Sequence, residues 1–250
     1  MNELFSRNIL FWGREKQSQL KEFCVAVFGL GGVGGYCVEM LARAGIGNLV
    51  LVDFDSVSES NINRQIIALN STVGMLKTEL FVKRLHDINP DLNITVISDF
   101  YSEEIEGSVF DNRKIDFAAD AIDTMRSKIS LLEYVYKKGI PVISSMGAGN
   151  RVNPEKLYIS DISEIHDKRA PFVSNVLYQL KKRNITSGIT VVTSDEKPFV
   201  TQKITELEKI NTSAGDEIEF KKIIPSSTPF VASTAGIFMA GYIVRKLLDL

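Results

Sequence analysis

Five polar residues spaced behind a glycine-rich turn carry the chemistry that can be read from this chain. The turn is GLGGVGG, in which Gly29, Gly31 and Gly34 fit G-x-G-x-x-G and Gly32 and Gly35 are spare. Glycines at this spacing let the backbone turn tightly and come close to a phosphate. The helix that follows turns unpaired N–H groups and a partial positive charge toward the same point. Asp53 comes about 20 residues later, at the end of the next apolar run, where a carboxylate can accept hydrogen bonds from ribose hydroxyls. These features alone define a nucleotide site and leave the nucleotide open, NAD included.

The five residues are Asn61, Arg64, Gln65, Lys77 and Asp123. The first four fall in the two segments after Asp53, at the carboxyl edge where open α/β sheets bind ligands. A helical turn starting at Ser60 and Asn61 sets Asn61 and Arg64 on one face at i, i+3. Two cations aimed at a phosphate chain suit ATP attacked at its α-phosphate, because they neutralise charge growing on phosphorus and on departing pyrophosphate. Asp123 closes another apolar run on the same edge, placed to hold Mg²⁺ or to steer a nucleophile. Each residue taken singly is an ordinary surface charge. A dehydrogenase would explain the glycines and Asp53 but not this cluster.

The elements that must position these residues follow from the apolar pattern. Strands are expected at Val25–Phe28, Leu49–Val52, Ile94–Ile97, Ile115–Ile122 (ending at Asp123) and Pro141–Ser145. Helices are expected up to Ala44, from Val73 to Ile88, weakly over Glu103–Phe110, and from a Thr124 cap to Lys138. Alternation of strands and helices with short connections predicts an α/β fold, a Rossmann-type, mainly parallel, doubly wound sheet. Residues 1–150 thus read as an N-terminal arm plus a nucleotide-binding domain. Residues 151–250 read as a C-terminal α/β extension layered on it, with strands at Leu157–Asp161 and Thr190–Thr193. Its helices are expected near Phe172–Arg183 and Val231–Leu248, and Ser194–Pro225 shows no readable pattern.

Composition narrows the partners. A net charge of −2 over 250 residues argues against a generally basic nucleic-acid binder. It leaves room for a local patch, and Lys168, Arg169, Lys181, Lys182 and Arg183 flank one expected helix with no acidic residue between them. The two cysteines, Cys24 and Cys37, lie inside the apolar pattern and read as packed thiols of an intracellular, cytoplasmic protein. The charged start lacks a signal peptide's apolar core. The apolar run Phe230–Val244 is shorter than the roughly 20 residues of a membrane span, so it is expected to be a buried helix. His86 and His166 are isolated and receive no role.

The motifs GLGGVGG (29–35), LVDFD (51–55), SNINRQ (60–65), VGMLK (73–77) and AIDT (121–124) resemble, in order and spacing, those of the ThiF/MoeB-like enzymes. These are ATP-dependent adenylating enzymes related to ubiquitin-activating enzymes, and the resemblance covers about residues 1–150. It implies ATP as cofactor, held by the glycines (Gly29, Gly31, Gly32, Gly34), by Asp53 on the ribose with Asp55 beside it, and by Asn61, Arg64 and Lys77 on the phosphates with Gln65 next to them. It implies Mg²⁺ on Asp123. It also implies a homodimer, in which Arg7 reaches into the neighbouring subunit's ATP site and the apolar arm has something to pack on.

Departures from the family pattern select a branch. No C-x-x-C pair is present and no cysteine follows Cys37, so a four-cysteine zinc site and a thioester step from the second half are both excluded. The stretches NINRQIIAL (61–69), HDINPD (86–91), DAIDTMRSK (120–128) and GIPVISSMGAGNRVNPEKLYISDI (139–162) resemble the tRNA threonylcarbamoyladenosine dehydratases. That branch uses ATP to activate the threonyl carboxylate of the modified adenosine beside the anticodon. The side-chain carbamoyl then closes a ring with net loss of water. The resemblance implies tRNA as partner; among the basic residues, Arg126 and Lys128 near the expected site mouth are further candidates for contacting it. It leaves open a monovalent cation beside 147–149. The alternative within the family is adenylation of the C-terminal glycine of a ubiquitin-like sulfur-carrier protein.

Overall fold

A computed structural model of the chain describes residues 3–168, 170–199, 204–211 and 217–250. Seven strands form one sheet: β1 (Cys24–Phe28), β2 (Asn48–Val52), β3 (Asn93–Ile97), β4 (Phe117–Asp120), β5 (Val142–Ser145), β6 (Leu157–Asp161) and β7 (Thr190–Ser194). Their spatial order is β3-β2-β1-β4-β5-β7-β6, with every pairing parallel except that of β6 with β7. This is the expected Rossmann-type doubly wound sheet, and the order reverses at β1, where such sheets open a ligand crevice. The central strands are apolar almost throughout because helices cover both faces. Helices α2 (Gly34–Ala44), α3 (Lys77–Ile88) and α7 (Pro229–Leu247) pack on one face, and α4 (Glu106–Phe110), α5 (Met125–Lys138) and α6 (Pro171–Lys181) on the other.

The arm forms α1 (Ser6–Leu20), which breaks at Gly13, where φ is 86°. Asn8 Nδ2 and Gln17 Nε2 donate to the Ala44 carbonyl at 3.3 and 3.0 Å, fastening the arm to the carboxyl end of α2. Phe5 and Leu20 are buried there, while Leu10 and Phe11 stay exposed.

Two boundaries and one unread stretch revise the sequence reading. Strand β4 stops at Asp120 rather than running to Asp123, because the chain leaves the sheet where Phe28 pairs with Asp120. Helix α3 starts at Lys77 rather than Val73, because Gly74 takes a φ of 87° that a right-handed helix cannot hold. The unread stretch after Ser194 contains an antiparallel hairpin, β8 (Ile204–Asn211) with β9 (Glu217–Ile224), register Ile204↔Ile224.

Helix α7 is long and apolar enough by length and composition to cross a membrane. In this fold it is a core helix, with Val231, Ala235, Met239 and Ile243 buried. It approaches α2 so closely that a Cβ on Gly236 would lie 2.2 Å from the Val33 carbonyl oxygen. A larger residue must push the two helices apart, and overpacking of this kind costs about 1–3 kcal/mol. Gly236→Val is therefore expected to lower the melting temperature by roughly 5 °C, at about 2–4 °C per kcal/mol for a chain of this size. A thermal unfolding scan checks this, and an unchanged midpoint would contradict the close packing.

Candidate functional site

A cavity of about 450 Å³ opens at the carboxyl edge of the sheet, above β1 and between β2 and β4. Its floor is the turn from β1 into α2. A Cβ on Gly34 would lie 1.8 Å from the Gly29 carbonyl oxygen, and one on Gly29 would lie 2.9 Å from that of Ala121. Only glycine permits this meeting of three backbone segments. Gly29, Gly31 and Gly32 line the cavity, and Gly34 lies beneath it as the first residue of α2.

Asp53 ties the turn to the end of β2. Its Oδ2 accepts the Leu30 N–H at 2.5 Å and its Oδ1 accepts the Asp55 N–H at 2.8 Å, with the side chain nearly buried. Burial pushes its carboxyl above the ordinary carboxylate range, against the pull of Lys77 and the two N–H donors. Lys77, at the first position of α3, is buried and pairs with Asp55 at 2.7 Å. Asn61 and Arg64 come from the turn after β2 and share one side of it, where the Arg64 N–H donates to the Asn61 carbonyl at 3.1 Å. Partial burial lowers the Arg64 pKa while the nearby Asp123 charge raises it, and both residues line the cavity. Gln65 is buried, and its Oε1 is without a hydrogen-bond partner.

The structure therefore brings Asp53, Asp55, Asn61, Arg64, Gln65, Lys77 and Asp123 to one crevice. It does not bring Arg7 there. Arg7 is exposed on α1, which packs on the carboxyl end of α2, at the opposite edge of the sheet from the crevice. Among the described residues no group of three or more His, Cys, Asp or Glu side chains converges as a metal site. A divalent ion would need a nucleotide's phosphates and water as further ligands beside Asp123, which suits Mg²⁺.

Lys128 is not at the site mouth. It is fully buried under the crevice, with Nζ 2.6 Å from Asp120 Oδ2 and 3.2 Å from Ser144 Oγ. Asp120 Oδ2 also accepts the Ser144 hydroxyl at 2.6 Å, and its Oδ1 accepts the Ile122 N–H at 3.0 Å. Sequence reasoning missed this unit, although an acid inside an apolar strand was the visible signal. It also missed the wall formed by Asp99, Phe100 and Tyr101, and Ser227 ahead of α7. The basic residues around α6 divide. Lys168 precedes the helix on the crevice side and Arg169 lies outside the described residues, whereas Lys181, Lys182 and Arg183 sit at the far end, with Arg183 bonded to Glu133 at 2.7 Å. Burial pushes the Cys24 thiol up to about 11 and the Cys37 thiol higher still, which leaves both as packed, unreactive groups.

Fold and crevice together define a Rossmann-type nucleotide-binding protein. The model of the ThiF family matches residues 5–236, and the chain belongs to that family. It is 43% identical over 244 residues to a tRNA threonylcarbamoyladenosine dehydratase of Bacillus subtilis (strain 168), covering 98% of this chain and 94% of that protein. It is 41% identical over 161 residues to the Haemophilus influenzae protein of that name, covering 64% of this chain and 61% of that protein. The crystal structure of the E. coli dehydratase TcdA in complex with ATP superposes with a TM-score of 0.83 at 26% identity, covering 99% and 94% of the two chains.

The buried pair generates a prediction. Removing one partner strands a charge in the core, at a cost of about 3–5 kcal/mol, whereas replacing both by neutral residues of similar size is close to neutral. Lys128→Met is expected to destabilise the protein strongly, and adding Asp120→Asn to recover most of the loss. Denaturant unfolding of the single and double variants measures this. A double variant destabilised by the sum of the two single effects would show that the charges do not interact.

Proposed function

We propose that this protein uses ATP to dehydrate threonylcarbamoyladenosine beside the tRNA anticodon to its cyclic form. The observation that carries this reading is identity of 43% along nearly the whole chain to a dehydratase of that specificity. It covers the second half as well as the nucleotide unit. The crevice suits the chemistry. Asp53 keeps lone pairs for ribose hydroxyls after accepting two backbone N–H groups, and the unpartnered Gln65 Oε1 awaits a donor. A phosphate chain laid over Gly31 and Gly32 would meet the backbone N–H groups at the start of α2.

In this reading Arg64, Lys77 and Asn61 hold the phosphate chain, and Gln65 packs beside them. The threonyl carboxylate attacks the α-phosphorus, pyrophosphate leaves, and the acyl-adenylate keeps one carboxylate oxygen bonded to phosphorus. Arg64 and Lys77 stabilise the charge that develops. The carbamoyl group then attacks the acyl carbon and loses a proton, and AMP departs with that oxygen, which completes the loss of water. Asp123 would hold Mg²⁺, which supplies charge neutralisation at the phosphates when bound. Residues 1–150 hold the ATP, and residues 151–250 contribute tRNA contacts, Lys168 among them. A second subunit would bring Arg7 to the site, with Leu10 and Phe11 against the partner. An enzyme acting on tRNA with ATP belongs in the cytoplasm.

Sulfur-carrier activation would use the same first step. The lack of any cysteine beyond Cys37 weighs against it, because that half could not take the acyl group onto sulfur.

Incubating the protein with ATP and tRNA bearing threonylcarbamoyladenosine should give the cyclic nucleoside by mass spectrometry. Substitutions Arg64→Ala and Asp123→Ala should each lower turnover by roughly 10²-fold or more, the usual cost of losing a group that stabilises developing charge. An uncyclised nucleoside with the intact protein would overturn the substrate, and normal turnover of Asp123→Ala would assign its role elsewhere. Asp53 must be ionised to accept ribose hydroxyls, and its pKa is raised by burial. Adenosine affinity should therefore begin to fall on acidification at a pH above the ordinary aspartate value of about 3.9. Calorimetry checks this, and Asp53→Asn should abolish the step.

A further inference from the structure

The turn that carries Asp123 is closed on both sides by one buried ion pair. Asp120 Oδ1 accepts the N–H of Ile122, the residue before Asp123, at 3.0 Å. The carbonyl of Thr124, the residue after it, accepts the Lys128 backbone N–H at 3.0 Å. Asp120 Oδ2 and Lys128 Nζ then meet at 2.6 Å, with both side chains fully buried. Together these contacts form a closed circuit that runs through the backbone of Asp123. Ala121, Ile122, Asp123 and Thr124 all line the crevice, so the circuit is part of its wall.

Stability alone does not account for a charge pair at this place. Desolvating two ions offsets most of their attraction, and apolar side chains of similar volume hold a core as well or better. What apolar side chains lack is an acceptor for the Ile122 N–H. Asp120 offers one only while its carboxylate is turned toward the turn. Lys128 holds it there from α5, and Ser144, its partner in the register of β4 with β5, donates to the same Oδ2 at 2.6 Å. Lys128 Nζ also lies 5.9 Å from the centre of the Phe172 ring. That ring packs against Gly147, where a Cβ would lie 3.3 Å from it, and Ala148, next in the chain, lines the crevice.

We infer that Asp120 and Lys128 are positioning residues for the nucleotide reaction, which fix the backbone on both sides of Asp123 so that its carboxylate keeps one place in the crevice. Neither side chain lines the crevice, so both act through Asp123. The inference rests on the reading above of Asp123 as the group that serves Mg²⁺, and names what holds it.

Two double variants separate position from packing. Lys128→Met with Asp120→Asn removes both charges and keeps an oxygen for the Ile122 N–H, whereas Lys128→Met with Asp120→Ala keeps none. Calorimetry of ATP binding with and without Mg²⁺ compares them with the unmodified protein. The alanine variant should bind Mg²⁺-free ATP normally and lose the gain in affinity that Mg²⁺ brings, and the asparagine variant should keep that gain. In turnover, kcat of the alanine variant should fall about 10²-fold, the scale of a misplacement of about 1 Å. KM for modified tRNA should stay unchanged, and the asparagine variant should regain most of the lost kcat. An alanine variant that keeps the Mg²⁺ gain would overturn the inference, as would an asparagine variant impaired to the same extent as the alanine one. The unmodified protein supplies a test that needs no variant to fold. Its Ile122 amide should exchange slowly with solvent in the NMR spectrum, and free exchange would overturn the circuit. Absence of any Mg²⁺ gain in the unmodified protein would instead remove the role given to Asp123, a result that the Ile122 exchange rate does not share.

Discussion

The crevice depends on backbone meeting backbone. Where β1 turns into α2, Gly29 and Gly34 come within a distance that excludes any side chain, and Ala121 at the exit of β4 closes on the same point. This one contact fixes the angle at which α2 leaves the sheet and hence where its free N–H groups aim. It sets the turn carrying Asp123 against the glycine loop. It also leaves Leu30 where its N–H reaches Asp53, so that the end of β2 is tied to the end of β1 by a carboxylate rather than by the sheet alone. The buried Lys128–Asp120–Ser144 unit sits below as a second fixing point, joining the exits of β4 and β5 to α5. Electrostatics then act on a frame that is already rigid, as transition-state stabilisation requires.

The second half of the chain closes this frame rather than standing apart from it. Strands β6 and β7 extend the same sheet, and α7 lies along α2 with Gly236 against the turn that precedes it. Ala232 reaches Gly32 on the glycine loop, and the Ser227 carbonyl accepts a hydrogen bond from Asn63 at 2.9 Å. The nucleotide crevice therefore has a wall from residues near 227–232, more than 150 residues away in sequence.

Much of this was legible in the sequence, for physical reasons that differ by feature. Buried parallel strands are nearly continuous apolar runs, so β1, β2 and β3 fall within a residue of where the pattern puts them. Gly29 to Asp53 is a local geometric requirement and could be read from spacing alone. Asn61, Arg64, Gln65 and Lys77 could be read as a set because they follow one strand and share one edge. What escaped was set by tertiary context. Lys128 looks like any helix-surface cation until β4 and β5 enclose it, and only Asp120, an acid within FAAD, hinted at a buried partner. The split of the basic residues around α6 depends on which end of the helix faces the crevice, which no local pattern encodes.

The central claim is that the crevice activates a carboxylate at the α-phosphate of ATP. The most direct measurement follows the oxygen. Modified tRNA carrying ¹⁸O in the threonyl carboxylate is turned over with unlabelled ATP, and the nucleotide products are analysed by mass spectrometry. Attack at the α-phosphorus predicts one ¹⁸O in AMP and none in pyrophosphate. Label in inorganic phosphate, with ADP as its companion, would place the attack at the γ-phosphate and contradict the account.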